Sequence, residues 1–161
     1  MWTVIDSPVG PLRLVEHGGA ITAIEFSPFS VSAANGRPRG TRDDAHPVLL
    51  ACAGQLAAYF DRELKEFDLP LAPGGSSFQE TVWGALRRVG YGETATYGEI
   101  AQRIGRTNAA SRAVGLANGS NPIPIVIPCH RVIGANGSLT GYAGGLERKQ
   151  ILLGLEQDAL F

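Results

Sequence analysis

The segment NPIPIVIPCHRVIG, Asn121–Gly134, limits the fold more than any other stretch of this chain. Pro122, Pro124 and Pro128 each remove a backbone donor and fix a φ angle, and the five apolar residues between Pro122 and Pro128 are too few and too proline-flanked for a helix. Its apolar residues must still be buried, and the run IPIVI predicts a short buried strand or extended piece. Pro128 cannot continue a ladder, so the chain should turn out of the core at Cys129 and carry the thiol to the edge of a packed lobe. His130 and Arg131 follow. The thiolate is the nucleophilic form of cysteine, and a free thiol is mostly protonated at neutral pH. A base or a cation beside it is therefore what a reactive cysteine needs. Neighbours in an extended chain point apart, so His130 reaches the sulfur only if the backbone turns, or through a water. A histidine base also needs a third group to fix its tautomer. Glu156, set among Leu152, Leu153 and Leu155 in the last helical stretch, is the carboxylate embedded in apolar sequence. A structural cysteine beside a surface histidine and a working Cys-His site both remain open at this point.

The surrounding sequence reads as two lobes of an α+β protein, 1–73 and 74–161, parted near Gly74-Gly75. In the first, WTVIDS, LRLVEH and AITAIEF read as strands separated by Pro/Gly turns. Residues 27–46, rich in Ser, Pro, Asn, Gly and Arg, read as a mobile loop. Residues 46–64 then show a helical period that puts Cys52 on the apolar face as a small buried hydrophobe. In the second lobe, Ser77 and Glu80 fit a capping box before a helix with Phe78, Val82, Leu86 and Val89 on one face. Thr96 and Glu99 repeat that box, and Gly105 should end the helix they open. A third helix, AASRAVGLAN, has Asn108 as its expected N-cap and Gly119 just past its end. Two short helices joined by about four residues match the helix-turn-helix pattern.

The third helix carries little side-chain bulk, with Arg112 its one long polar residue. Tight helix packing and close approach to a surface such as a narrow groove explain that equally well. Gly115 costs about 1 kcal/mol of helix propensity against alanine, which asks for a close neighbour there. Net charge is −1, yet residues 81–131 carry six arginines against Glu93 and Glu99. That permits a polyanion locally and no more. Two isolated cysteines are too few for a disulfide framework or a zinc site. Asn136-Gly137 signals a tight turn. The glycines at 141, 144 and 145 lack Walker or Rossmann spacing, which makes a phosphate loop a poor reading. The absence of a secretory pattern or an 18-residue apolar run makes the cytoplasm the expected compartment.

The core PCHRV at Pro128–Val132 resembles the active-site signature of the O6-alkylguanine-DNA alkyltransferases, or methylated-DNA–protein-cysteine methyltransferases. FQETVWGALRRVGYGETATYGEIAQRIG, SRAVGLANGSNPIPIVIPCHRVIG and LTGYAGGLERKQILLGLE follow in the order and spacing of that family. The resemblance covers most of 76–161 closely and the first 72 residues loosely. It implies a direct DNA-repair protein that flips O6-alkylguanine out of duplex DNA and transfers the alkyl group irreversibly to Cys129, once, without cofactor or metal. In this likeness His130, through a water, and Glu156 take the thiol proton, and Asn121 ties the preceding turn to the active-site segment. Tyr97 helps rotate the phosphate and bonds the target base. Arg112 is the finger that fills the emptied stack, while Ala110, Ser111, Ala113 and Gly115 face the minor groove. Carbonyls of Cys129 and Val132 accept from the guanine amine, and Pro124 and Tyr142 line the pocket. Ala143 stands where many relatives have serine, leaving its backbone N–H to serve O6. The span from Tyr97 to Arg112 is one residue longer than in many relatives, which would shift the finger. The implied partner is double-stranded DNA bound by a monomer, with cooperative assembly along the duplex left open. A cysteine hydrolase using Cys129, His130 and Glu156, and a non-catalytic helix-turn-helix module, are the rival readings.

Overall fold

A computed structural model describes residues 1–31 and 38–158. The backbone divides into two compact units, Met1–Gly74 and Gly75–Phe161. Among the described residues no helix is long and apolar enough to cross a membrane.

The first unit is built on an antiparallel sheet of β1 (Trp2–Ile5), β2 (Leu12–His17) and β3 (Ala20–Phe26), in that spatial order. The short Gly18-Gly19 turn joins the last two strands. Both glycines hold positive φ, the conformation that L side chains resist. A register shift between Val15 and Glu16 marks a bulge. Helix α1 (Pro47–Phe60) covers the sheet with Leu49, Cys52, Leu56 and Tyr59, all buried. His46 caps it, accepting from Val48 N at 3.2 Å, and Pro47 occupies the first turn, where its missing N–H has no cost. The extended piece before Gly74 adds to β3: Ile21 donates to Pro70 O and Ala72 donates back to Ile21 O, each at 2.8 Å. Of the loop expected to be mobile, 32–37 lie outside the described residues. Its flanks are pinned, because Glu25 accepts from both Arg13 and Arg39, which also donate to the carbonyls of Ser30 and Val31.

The second unit opens with α2 (Ser77–Leu86). Its capping box is Ser76 with Gln79, one residue earlier than the sequence reading placed it. Both registers satisfy the S-x-x-E/Q rule, and the chain takes the one that buries Val82, Trp83 and Leu86. Strand β4 (Ala95–Thr96) leads into α3 (Tyr97–Arg103), whose Thr96–Glu99 box is present as expected. Gly105 ends it with φ +79°. Asn108 does not cap the next helix. It begins a 3-10 turn, Asn108–Ala110, and its Oδ1 accepts from Gln102. Helix α4 (Ser111–Gly119) then runs without a side-chain cap and includes Gly119 in its last turn. Ile100 and Ala101 of α3 and Val114 and Ala117 of α4 are all buried in this helix-turn-helix. Gly98 faces the turn at close range: a Cβ there would stand 2.9 Å from Asn108 Oδ1 and displace that side chain. Trp83 ties α2 to α4 by donating to Ala117 O at 2.8 Å.

Residues 122–127 are not the strand expected of them. They form buried turns, with Ile125 at φ +73°. The prolines withhold the donors a ladder would need, and the remaining groups bond locally, Val126 N to Pro124 O and Ile127 N to Ile123 O. The strand comes after the cysteine instead: β5 (Val132–Ile133) pairs in parallel with β4. Helix α5 (Leu146–Asp158) completes the unit.

Candidate active site

Asn121 organises the turn that presents the cysteine. Its Oδ1 accepts from Ile123 N at 3.0 Å and its Nδ2 donates to Ile127 O at 2.8 Å, which closes residues 121–127 into a loop. Pro128 then ends the apolar stretch, and Cys129–Arg131 form one 3-10 turn. That turn takes the backbone out of the extended form at 129–131. All three are buried, Cys129 with 4% of its surface exposed.

His130 and Arg131 converge on one carboxylate of α5. His130 Nε2 lies 2.7 Å from Glu156 Oε2, and Arg131 Nε and Nη2 donate to its two oxygens at 2.9 and 3.0 Å. Arg131 Nη1 also donates to Val89 O at 2.6 Å, fixing the guanidinium to the bend after α2. Burial alone would raise the Glu156 carboxyl, but His130 and Arg131 outweigh it and hold the group at about 2. An anionic Glu156 accepts, so His130 Nε2 carries the proton and Nδ1 presents a lone pair. Nδ1 is buried and bonds to no protein group. Burial pushes His130 below its ordinary range against the pull of Glu156, leaving it neutral.

At rest the sequence neighbours His130 and Arg131 do not bring the Cys129 thiol below its ordinary range. Burial raises the Cys129 thiol, while bonds from the Asn121 and Tyr142 side chains and the charge of Lys149 oppose that rise. Lys149 is fully buried, with no carboxylate against it among the described residues; its Nζ donates to Val132 O at 2.6 Å and Thr140 O at 3.0 Å. Burial lowers its own pKa, and Cys129 is the group that raises it. The cation serving this sulfur is therefore Lys149, because Arg131 is already neutralised by Glu156.

Beside this centre a cleft of about 420 Å³ is lined by Tyr97, Ser111, Arg112, Gly115, Leu116, Gly134 and Thr140. The Tyr97 hydroxyl and Thr140 Oγ1 are 2.9 Å apart. Arg112 and Ala113 are exposed on α4, and Leu116, one turn beyond Arg112, is 72% exposed. A Cβ on Gly115 would meet only the Tyr97 ring, at an ordinary 3.7 Å, so internal packing does not require glycine there.

This arrangement coincides with a family match along nearly the whole chain. Residues 77–158 match the DNA-binding domain of 6-O-methylguanine DNA methyltransferase, and residues 1–73 match its ribonuclease-like domain. The chain belongs to the methylated-DNA–protein-cysteine methyltransferase family. It is 50% identical to the methyltransferase of Mycobacterium tuberculosis over 156 residues, 97% of this chain and 92% of that one. With the Methanosarcina acetivorans methyltransferase it shares 48% over 159 residues, 96% and 97% of the two chains. A crystal structure of Mycobacterium tuberculosis OGT in complex with DNA superposes with a TM-score of 0.87 at 48% identity, covering 98% of this chain and 93% of that one.

Within this methyltransferase fold the structure brings Cys129, His130, Glu156, Asn121 and Tyr142 into one centre. It puts Tyr97, Ser111, Arg112 and Gly115 around the cleft. Ala110 is half-buried at the end of the 3-10 turn, Pro124 and Val132 are buried, and Ala143 is exposed. Sequence reasoning missed Lys149, Arg131 as a partner of Glu156, Thr140 and Leu116. A signal for the first existed: Lys149, Leu152, Leu153 and Glu156 follow the i, i+3, i+4, i+7 spacing of one helix face.

Proposed function

We propose that this chain repairs O6-alkylguanine in duplex DNA by moving the alkyl group to its own Cys129 in a single turnover. The observation that carries the reading is a buried thiol set in one turn with a His130–Glu156 pair whose free imidazole nitrogen is a proton acceptor. The alkyl carbon is out of reach inside a stacked duplex, so the nucleotide must be extruded. Arg112, exposed on α4, fills the gap it leaves, and Ala110, Ser111, Ala113 and Gly115 let α4 approach the minor groove. Tyr97 turns the phosphate.

The thiol proton passes through a water to His130 Nδ1, and Glu156 stabilises the imidazolium that results. The sulfur attacks the alkyl carbon in line. The S–C bond forms as the C–O6 bond breaks, and the electron pair leaves with guanine, which takes up one proton. One proton lost by the thiol balances one gained by guanine. Lys149 stabilises the sulfur anion in between, and the Ala143 N–H and nearby donors serve O6 as charge develops. Carbonyls of Cys129 and Val132 receive the base amine, while Asn121 holds the turn, and Pro124 and Tyr142 wall the pocket. The product is a thioether, which water does not cleave at a useful rate, so each protein acts once. In this reading 1–73 supports the fold and 74–161 carries DNA binding and chemistry. Two unpaired cysteines suit the reduced cytoplasm, where we place the protein.

Mass spectrometry after mixing with duplex containing O6-methylguanine tests this. The expected result is one methyl group on Cys129, saturating at one equivalent. Release of product beyond one equivalent would indicate a hydrolase, and binding without mass gain would indicate a DNA-binding module; either overturns the reading.

A further inference from the structure

We propose that Asn118 is a specificity-determining residue whose Oδ1, beside the Cys129 carbonyl, accepts a hydrogen bond from the exocyclic amine of the flipped base. This rests on the alkyl-transfer reading and adds to it a residue that reads the base. Asn118 lies near the C-terminal end of α4 with 3% of its surface exposed. Its Nδ2 donates to Cys129 O over a long 3.4 Å. Its Oδ1 is buried and bonds to no protein group. Folded proteins leave few such groups unpaired.

The orientation of the carboxamide is fixed by chemistry. Turning it over would set Oδ1 against the Cys129 carbonyl, two acceptors facing each other. The other unpartnered atom of the centre, His130 Nδ1, cannot satisfy Oδ1, because with Glu156 on Nε2 it is an acceptor too. What Asn118 lacks is a donor, and the described residues do not supply one.

An O6-alkylguanine offers one kind of N–H on its base edge. Alkylation at O6 removes the proton from N1, while N3 and N7 accept, so the two hydrogens of the exocyclic amine are the only conventional donors. The proposed chemistry already directs that amine to the Cys129 carbonyl, the atom that the Asn118 N–H reaches in this structure. The carboxamide N–H thus stands where an amine N–H would arrive. Its long bond is weak and easily shared or exchanged. The Val132 carbonyl, the second acceptor assigned to the amine, gives one of its two lone pairs to Lys149 at 2.6 Å. Asn118 Oδ1 adds a further acceptor beside Cys129 O for the two N–H groups. Burial is no obstacle, since the Cys129 sulfur is enclosed to the same degree and must meet the alkyl carbon. The recognised class is an O-alkylated purine bearing an amine. O6-alkylhypoxanthine and O4-alkylthymine lack it.

The test compares single-turnover methyl transfer from O6-methylguanine and from O6-methylhypoxanthine, placed in the same duplex, for the wild-type protein and Asn118→Leu. Both substrates are measured on one preparation, so a loss of folded protein cancels in their ratio, and Asn118→Ala replaces the leucine variant if that does not fold. The wild-type protein should prefer guanine. In the variant that preference should fall roughly 2- to 10-fold, the range for one net hydrogen bond, with the hypoxanthine rate within about twofold of wild type. A wild-type protein indifferent to the amine would overturn the inference, as would a variant in which both bases slow together. A wild-type protein that takes methyl from neither duplex overturns the proposed function, and this inference with it.

Discussion

Replacing Glu156 by glutamine tests the centre through its stability. The carboxylate is 1% exposed and meets His130 at 2.7 Å and Arg131 at 2.9 and 3.0 Å. Those bonds hold it at about 2 against an ordinary 4.5. The difference corresponds to on the order of 3 kcal/mol of folding free energy near neutral pH. A separate argument gives a similar figure: glutamine would strand the buried Arg131 cation, and breaking one side of a buried pair costs about 3–5 kcal/mol. The folded-state pKa is depressed, so the contribution is complete above the unfolded value and lost as pH falls from 4.5 toward 2. His130 acts in the same direction, because its lowered pKa makes protonation in acid unfavourable to the fold. Urea unfolding near neutral pH therefore reads the whole effect. Glu156→Gln should cost about 3 kcal/mol, and Arg131→Met a comparable amount. The double variant should cost well below their sum, because it leaves no uncompensated charge. A cost below about 1 kcal/mol for Glu156→Gln, or simple additivity in the double variant, would refute this account of the cluster.

Lys149→Met should move the pH profile of Cys129 alkylation by iodoacetamide to higher pH, because the charge that opposes the burial of the thiol is removed. An unmoved profile would mean that Lys149 only holds the carbonyls of Val132 and Thr140. Gly115→Ala should stabilise the protein by up to about 1 kcal/mol in thermal unfolding, since its Cβ fits against Tyr97 at 3.7 Å. Gel-shift affinity for duplex DNA should fall in the same variant, and unchanged affinity would remove α4 from the minor groove. Ser76→Ala should cost about 1 kcal/mol by loss of the cap. Ser77→Ala, at the first helical position, should stay within about 0.5 kcal/mol; the reverse order would restore the register read from sequence.

The strands of the first unit and the helix pair of the second were legible because periodicity and capping are local. Thr96 with Glu99 and the φ +79° at Gly105 needed no tertiary information. Capping failed where two registers satisfied the same rule, at Ser76 and Ser77, and where Asn108 was drawn into a 3-10 turn. The IPIVI segment misled for a different reason. Burial implied a strand, but the prolines left too few donors for a ladder, and Asn121 supplied a side-chain alternative. Glu156 could be found because a carboxylate among leucines is conspicuous. Its bidentate partner Arg131 could not, since an arginine beside a histidine reads equally well as a surface cation or a DNA contact. Only the 3-10 turn at 129–131, which aims residues 130 and 131 at the same helix, decides it.

The two cysteines show what the centre adds to burial. Both are enclosed, and burial raises both thiols, Cys52 to about 12. Around Cys52 no group opposes that rise, so it behaves as a small apolar side chain of α1. Around Cys129 the same penalty is opposed by Asn121, Tyr142 and the buried Lys149. The opposition is incomplete, and the resting sulfur stays protonated. For a protein that acts once this has a consequence under the proposed mechanism. A standing thiolate would be spent on any oxidant or stray electrophile, whereas a thiol that ionises only as its proton moves to His130 is spent when an alkyl carbon is aligned with it. Enclosure, which by itself makes a cysteine inert, here stores the nucleophile, and the His130–Glu156–Arg131 cluster makes its release local to the bound base.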